Sequence, residues 1–355
     1  MNNMLDNAAA SRPYLWAAEL FAEKSLELFA NQESAGELGV KAAKAVELAG
    51  EQLASAVAPG FGVLFCNTAT DALRAAVRAV LNPGEETVAL TTKAEHPALL
   101  HALKDYSAVQ YCKIGKDGKI QIPAGAKAEL FAAHHVNAET GIVQDIQELK
   151  KNLPGGCAFL LDTTQSLCKI PVPGNSADFL TISGCKVGAP CGAALIYRKS
   201  FEKRVNALRM EEHGIGRCVP AAAVVLAEVV TKSVANLSRR MAHAENLRKI
   251  LRESLAGLNI VFTSKPENAS PWINHMMLPG YQGGILVRMF QEKGITVAAG
   301  SACSSETPEP SAVLRAMGYS ATEAYSALRV SFSDDTTTEE VLFFANTLHE
   351  LLKNY

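Results

Sequence analysis

The sequence predicts an α/β protein: a mostly parallel sheet with helices on both faces, followed by a smaller α+β unit. Short apolar runs alternate with helix-period segments from residue 63 to about residue 200. The chain's 355 residues exceed what one compact core usually organises. The pattern then changes after a long helical stretch opened by Pro220, which places a second unit behind it.

Residues 34–57 are rich in Ala, Glu, Lys and Leu at helical spacing, and residues 63–66 form an apolar run that reads as a strand. A helix is expected over 70–81. The alternation continues through 87–91, 96–105, 130–134, 146–152, 158–162 and 179–182. Residues 184–192 form a Gly/Pro-containing turn, and the strand expected over 193–197 would close the sheet as a hairpin. Beyond a polar patch at Ser238-Arg239-Arg240, residues 241–255 read as a helix bridging to the second unit. Residues 260–264, 273–278, 283–293, 295–298 and 338–353 then read as strand, strand, helix, strand and closing helix. The expected division is a large domain over 15–235 and a small one built from 1–14 and 236–355.

Thirty-four Lys and Arg face 36 Asp and Glu, a net charge of -2 that offers no broad field for nucleic acid. The first residues lack a basic stretch followed by an apolar one, and Glu228 interrupts the apolar run 221–230. The expectation is a cytoplasmic protein with no membrane partner. Its eight cysteines form no CxxC pair, which argues against a zinc site or a disulfide scaffold, so no metal is expected.

Three segments carry most of the chemistry, and shorter ones support them. In Ser183-Gly184-Cys185-Lys186 a lysine stands where an apolar strand ends. A surface turn lysine is the ordinary reading, but a desolvated amine there has the state needed to form a Schiff base with an aldehyde such as that of pyridoxal phosphate. In Asp162-Thr163-Thr164-Gln165 an aspartate closes another apolar run, placed either to cap a turn or to pair with a pyridine nitrogen, with Gln165 reaching a neighbouring oxygen. Ala69-Thr70-Asp71 opens a helix whose backbone amides and hydroxyl suit a phosphate, although Thr70 also reads as an ordinary N-cap. His96, before Pro97, is placed to lie on a ring or to serve structure alone. The third segment, Gly300-Ser301-Ala302-Cys303-Ser304-Ser305, sets a thiol among small polar residues, where a reactive cysteine can move in and out of a site. Arg329, in Leu328-Arg329-Val330-Ser331-Phe332-Ser333, has the fork geometry to grip a carboxylate or to make an ion pair on a sheet.

In order and approximate spacing these pieces resemble the cysteine desulfurases of the NifS/IscS group, class-V aminotransferases of pyridoxal-phosphate fold type I, across nearly the whole chain. Leu5-Asp6-Asn7-Ala8-Ala9, Glu95-His96-Pro97-Ala98, residues 135–144, Gly300 to Ser305 and Glu309-Pro310-Ser311 carry the likeness with the Arg329 segment. The resemblance implies that Lys186 forms the cofactor's Schiff base and later moves protons. It pairs Asp162 with the pyridinium, Gln165 with the phenolic oxygen and His96 with the ring face, His96 also counting among the catalytic residues. Ala69, Thr70, Ser183, Gly184 and Cys185 would surround the phosphate, Asn7 and Arg329 would bind substrate, and Cys303 would attack the substrate sulfur. The implied partners are L-cysteine, a sulfur-acceptor protein and a second copy of the chain in a homodimer.

The likeness departs at Ala138, where the group has an asparagine, at Cys185, where it has a histidine, and at Cys218-Val219, where it has a phosphate-binding segment. Each lost hydrogen bond would weaken cofactor binding by about 1.5 to 3 kcal/mol. Two other readings stand beside the main one: a selenocysteine lyase or another class-V aminotransferase or lyase, and a non-catalytic member acting as a binding subunit.

Overall fold

The structure is a computed structural model that describes residues 3–82, 84–211, 215–300 and 309–353. Strand β1 (Asn3–Met4) and helices α1 (Leu15–Glu27) and α2 (Glu37–Val57) lead into β2 (Gly62–Cys66) and α3 (Ala69–Val80). Next come β3 (Val88–Thr91), α4 (Pro97–Tyr106), β4 (Ala108–Tyr111) and the small pair β5 (Lys113–Ile114) and β6 (Ile120–Gln121). After them stand β7 (Leu130–His134), α5 (Ile146–Lys151), β8 (Ala158–Asp162), β9 (Phe179–Ser183) and β10 (Ala193–Tyr197). Helices α6 (Glu202–Glu211), α7 (Pro220–Ala235) and α8 (Leu237–Ser254) follow. The chain ends with β11 (Val261–Phe262), β12 (Ile273–Met277), α9 (Gly283–Glu292), β13 (Ile295–Thr296), α10 (Ala312–Ala316), α11 (Ala321–Tyr325), β14 (Ala327–Ser331) and α12 (Thr338–Lys353).

Seven strands form the main sheet in the order β2-β10-β9-β8-β7-β3-β4, with β10 antiparallel to both its neighbours and the other pairings parallel. The period-2 alternation of side chains sorts the sheet into two faces. Phe131, Ala133, Phe159, Leu161, Leu180 and Ile182 pack with residues of α2 and α7. Leu130, Ala132, Ala158, Leu160 and Phe179 face α3, α4 and α6. Both faces are therefore dry, which is why these strands are apolar throughout rather than alternating with polar residues.

A second core gathers α8, α9 and α12 on the three-stranded sheet β11-β12-β14, around Trp272, Phe290, Phe332 and Phe344. Leu5 and Ala8 belong to this second core, because β1 runs parallel to β13. The two ends of the chain thus meet far from each other in sequence.

Several boundaries differ from expectation. The strand over 193–197 pairs with β9 as a hairpin would, but β2 covers its other edge, so it is an interior strand and does not close the sheet. All five of its residues are buried, which an edge strand would not require. The Ser238-Arg240 patch lies inside α8, where Arg240 is buried and its Nε pairs with Asp334 at 2.9 Å. Helix α1 and edge strand β4 gave little sequence signal: α1 buries only Ala17, and β4 has no buried residue. No single described helix is long and apolar enough to cross a membrane.

Candidate active site

The parallel strands β7, β8 and β9 end side by side, and their register sets the first groups of the site. Asp162, the last residue of β8, is the in-register neighbour of His134 on β7 and Thr181 on β9, so the three side chains share one face. Asp162 is buried, and its Oδ1 accepts from Thr181 Oγ1 at 2.9 Å and from the Thr164 amide at 3.0 Å. These two donors fix the carboxylate without neutralising it. Beside it His134 and Glu95 form a buried pair, with Nδ1 2.9 Å from the carboxylate, which also accepts from Thr92 Oγ1 at 2.7 Å. Burial pulls the His134 pKa down, but the Glu95 charge and hydrogen bond outweigh it and leave the pKa raised.

His96 is the N-cap of α4, and its Nδ1 accepts from the Ala98 amide at 3.1 Å. That bond places the neutral ring's proton on Nε2. Burial lowers the His96 pKa, with Lys186 adding to the shift and Asp162 opposing it. Next door His135 is pushed down to about 4, chiefly by burial and further by His134.

Lys186 closes the short 3-10 turn Gly184–Lys186 that follows β9. Gly184 is required there: a Cβ would stand 2.4 Å from the Cys191 carbonyl oxygen. The lysine amine donates to the Ala9 carbonyl, and the residue lines a cleft with Ser11, Lys169, Arg240 and Asp334. Ser183 Oγ sits 3.1 Å from the sulfur of Cys185, an exposed thiol.

Gln165 is buried with both ends of its amide engaged, donating to Ala8 O at 2.8 Å and accepting from Lys169 Nζ at 2.9 Å. Ala69 and Thr70 occupy the first turn of α3, but the N-cap is Thr68, not Thr70. Thr68 and Asp71 form a reciprocal capping box, because the chain leaves the extended conformation two residues earlier than a cap at Thr70 requires. The box uses the amides of Thr68 and Asp71, and those of Ala69 and Thr70 take no part in it. Asn7 spends its amide donors on the Met4 and Ser331 carbonyls, at 2.9 and 3.0 Å, tying the N-terminal segment to β14.

Arg329 is buried on β14, where one arm of its guanidinium meets Asp6 Oδ1 at 2.6 Å and the other donates to the Ala138 carbonyl at 2.8 Å. Its Nε has no hydrogen-bond partner among the described residues. Nearby, both carboxyl oxygens of buried Glu139 and the Nε2 of buried His275 lack one too, although the two groups approach to 3.6 Å. Cys303 lies outside the described residues.

The structure thus brings Lys186, Asp162, Gln165, Thr181 and His96 to one end of the sheet, with Arg329 and Asn7 on the adjoining unit. Lys169, Glu139, His275 and the Glu95–His134 pair were not singled out from sequence. Glu95 stood inside a quoted motif and was legible there; Lys169 sits among apolar residues and gave no signal. The arrangement fits pyridoxal phosphate by its donor set: an amine at a strand exit, a carboxylate held by donors on the neighbouring strand, and uncapped first-turn amides on α3.

Residues 3–344 match the family described as Aminotransferase class-V. A cysteine desulfurase IscS of Neisseria meningitidis serogroup C is 29% identical, the match covering 99% of this chain and 91% of that protein. A cysteine desulfurase of Nostoc is 27% identical, over 95% of this chain and 89% of its own. Among solved structures, a NifS-like protein from Rickettsia africae superposes with a TM-score of 0.85 at 22% identity, covering 99% of both chains. An apo cysteine desulfurase from Thermococcus onnurineus gives 0.80 at 20% identity, over 99% of this chain and 95% of that one. With the family match running through both cores, the chain belongs to the class-V aminotransferases.

Proposed function

We propose that this chain is a pyridoxal-phosphate-dependent cysteine desulfurase, taking sulfur from L-cysteine, leaving L-alanine, and passing the sulfur on to a protein acceptor. The observation that carries the reading is the placement of Lys186 and Asp162 at the ends of adjacent parallel strands, β9 and β8. Likeness to proteins named cysteine desulfurase along almost the whole chain supports it.

When bound, pyridoxal phosphate supplies an electron sink for the substrate's α-carbon. In this reading Lys186 holds the cofactor covalently and then carries the α-proton. Asp162, anchored by Thr181 and Thr164, would pair with the protonated pyridine nitrogen, and His96 would serve the ring face. The first-turn amides at Ala69 and Thr70, with Ser183, Gly184 and Cys185, receive the phosphate. Gln165 gives an N–H to the phenolic oxygen, and Arg329 and Asn7 orient the substrate. Cys303 as thiolate attacks the substrate sulfur: the S–S bond of a persulfide forms, the C–S bond breaks, and the carbon keeps the electron pair and is protonated to alanine.

The functional division remains a large cofactor-binding domain over 15–235 and a small domain from 1–14 and 236–355, in a cytoplasmic homodimer. Exposed apolar side chains on and between α1 and α2, including Leu26, Phe29, Leu38 and Val40, support a face that a second copy covers. The test is the visible spectrum of the purified protein with and without added pyridoxal phosphate, followed by alanine and sulfide release from cysteine. A yellow protein releasing both in equal amounts is expected. A colourless protein that the cofactor cannot reconstitute would overturn the reading in favour of a binding subunit.

A further inference from the structure

We propose that Lys169 is a positioning residue that locks the side-chain amide of Gln165, so that only an N–H donor is offered to the cofactor's phenolic oxygen. The inference rests on the proposed function for the identity of that oxygen; the lock itself rests on the geometry of this chain.

Lys169 is buried, and no carboxylate is bonded to it among the described residues. Its amine donates to Gln165 Oε1 at 2.9 Å. The backbone is pinned on both sides of the lysine. Trp272 Nε1 donates to the Lys169 carbonyl at 2.8 Å, and Cys168 before it holds a left-handed φ of 67°, the only non-glycine residue described with a positive φ. Such strained backbone next to a buried cation persists only where the surroundings fix it.

The other end of the Gln165 amide is held as firmly. Its Nε2 donates to the Ala8 carbonyl at 2.8 Å, and the Ala8 amide is itself tied to Ser331 Oγ at 2.8 Å. Reversing the amide would set its oxygen against the Ala8 carbonyl, acceptor against acceptor, and would turn its NH2 toward the lysine amine, taking away the acceptor to which that amine donates. Both contacts oppose the flip. With Oε1 turned to Lys169 and one N–H spent on Ala8, the second N–H is the donor left over, which suits an anionic oxygen. Ala9, the next residue, accepts from Lys186, so adjacent carbonyls of the N-terminal segment align the glutamine and the lysine.

Burial, with the charges of Lys186, Arg240 and Arg329 against the opposing influence of Cys168, brings the Lys169 pKa down to about 7.

The experiment uses full-length protein labelled with 15N-glutamine, first without and then with added pyridoxal phosphate. In the wild type the Gln165 amide protons should exchange slowly. In Lys169→Met they should exchange at least about tenfold faster, and pyridoxal phosphate affinity should fall about tenfold with a shifted visible band. Lys169→Gln, which keeps a donor, should retain much of the slow exchange. On a Gln165→Leu background, Lys169→Met should cost no further affinity. Unchanged exchange in Lys169→Met, or losses that simply add in the double variant, would overturn the lock. A wild type that takes up no pyridoxal phosphate would instead sink the functional reading, while the exchange rates without cofactor still decide the lock.

Discussion

Two regions of the molecule treat their buried polar groups in opposite ways. At the ends of β8 and β9, Asp162, Gln165, Lys169 and Thr181 are bonded to one another or to the backbone. At the seam between the 137–144 loop and β12–β14, Glu139, His275, Asn274 and Arg329 each keep at least one buried polar atom without a partner among the described residues. Native interiors hold few such orphans, because each costs about 1 to 3 kcal/mol. The first region is built by the fold alone. The second retains hydrogen-bonding capacity that the described chain does not use, beside the arginine proposed to receive the substrate carboxylate.

The largest effect should come from the built region. Lys186→Ala should abolish covalent attachment of pyridoxal phosphate and all alanine formation, checked by borohydride reduction and peptide mapping; a pyridoxyl group on another lysine of the wild type would move the site. At the seam, Arg329→Met strands Asp6, whose carboxylate it now meets. A loss of about 3 kcal/mol in urea unfolding is expected, with a raised KM for cysteine. Full stability in this variant would mean that Asp6 is satisfied elsewhere.

A third measurement concerns His135, which borders both regions. Its folded pKa of about 4 lies below the ordinary value of 6.5, so the unfolded chain binds its proton first as pH falls. Its contribution is therefore fully present above pH 6.5 and lost on the way down to pH 4. The loss is about 3 kcal/mol in all. His135→Gln should flatten that part of the acid limb, and an unchanged limb would assign it to other groups.

Glu139→Gln probes the orphans more gently. Replacing a buried carboxyl that has no partner among the described residues with an amide of the same shape should raise stability by about 1 kcal/mol, read as a shifted urea midpoint. A fall would reveal a partner for Glu139. The smallest effect is expected of glycine at Cys168, which relieves left-handed strain but gives up a buried side chain. Cys168→Gly should stay within about 1 kcal/mol of wild type, whereas Cys168→Val should cost about 2 kcal/mol or more.

Much of the built region was legible because it lies in short stretches of chain. The apolar runs 130–134 and 158–162 coincide with β7 and β8, since strands buried on both faces leave unbroken apolar runs, and the polar residues that end them stand out. Lys186 and Asp162 were visible for that reason. At the seam Arg329 was legible from its motif, but the approach of Glu139 to His275 was not, because the two are far apart in sequence.

Composition, periodicity and motif order by themselves determined the α/β class, the two-unit organisation expected of it and the residues singled out at the strand ends. These are local properties: a strand's burial and a turn's chemistry are written in neighbouring residues. Only the tertiary structure decided that β10 is an interior strand and that Thr68 rather than Thr70 caps α3. It alone set Lys169 against Gln165 with Ala8 closing the other side. The physical reason is that a hydrogen bond's partners and a group's desolvation depend on which distant segments pack around it, and no local stretch of sequence contains that information.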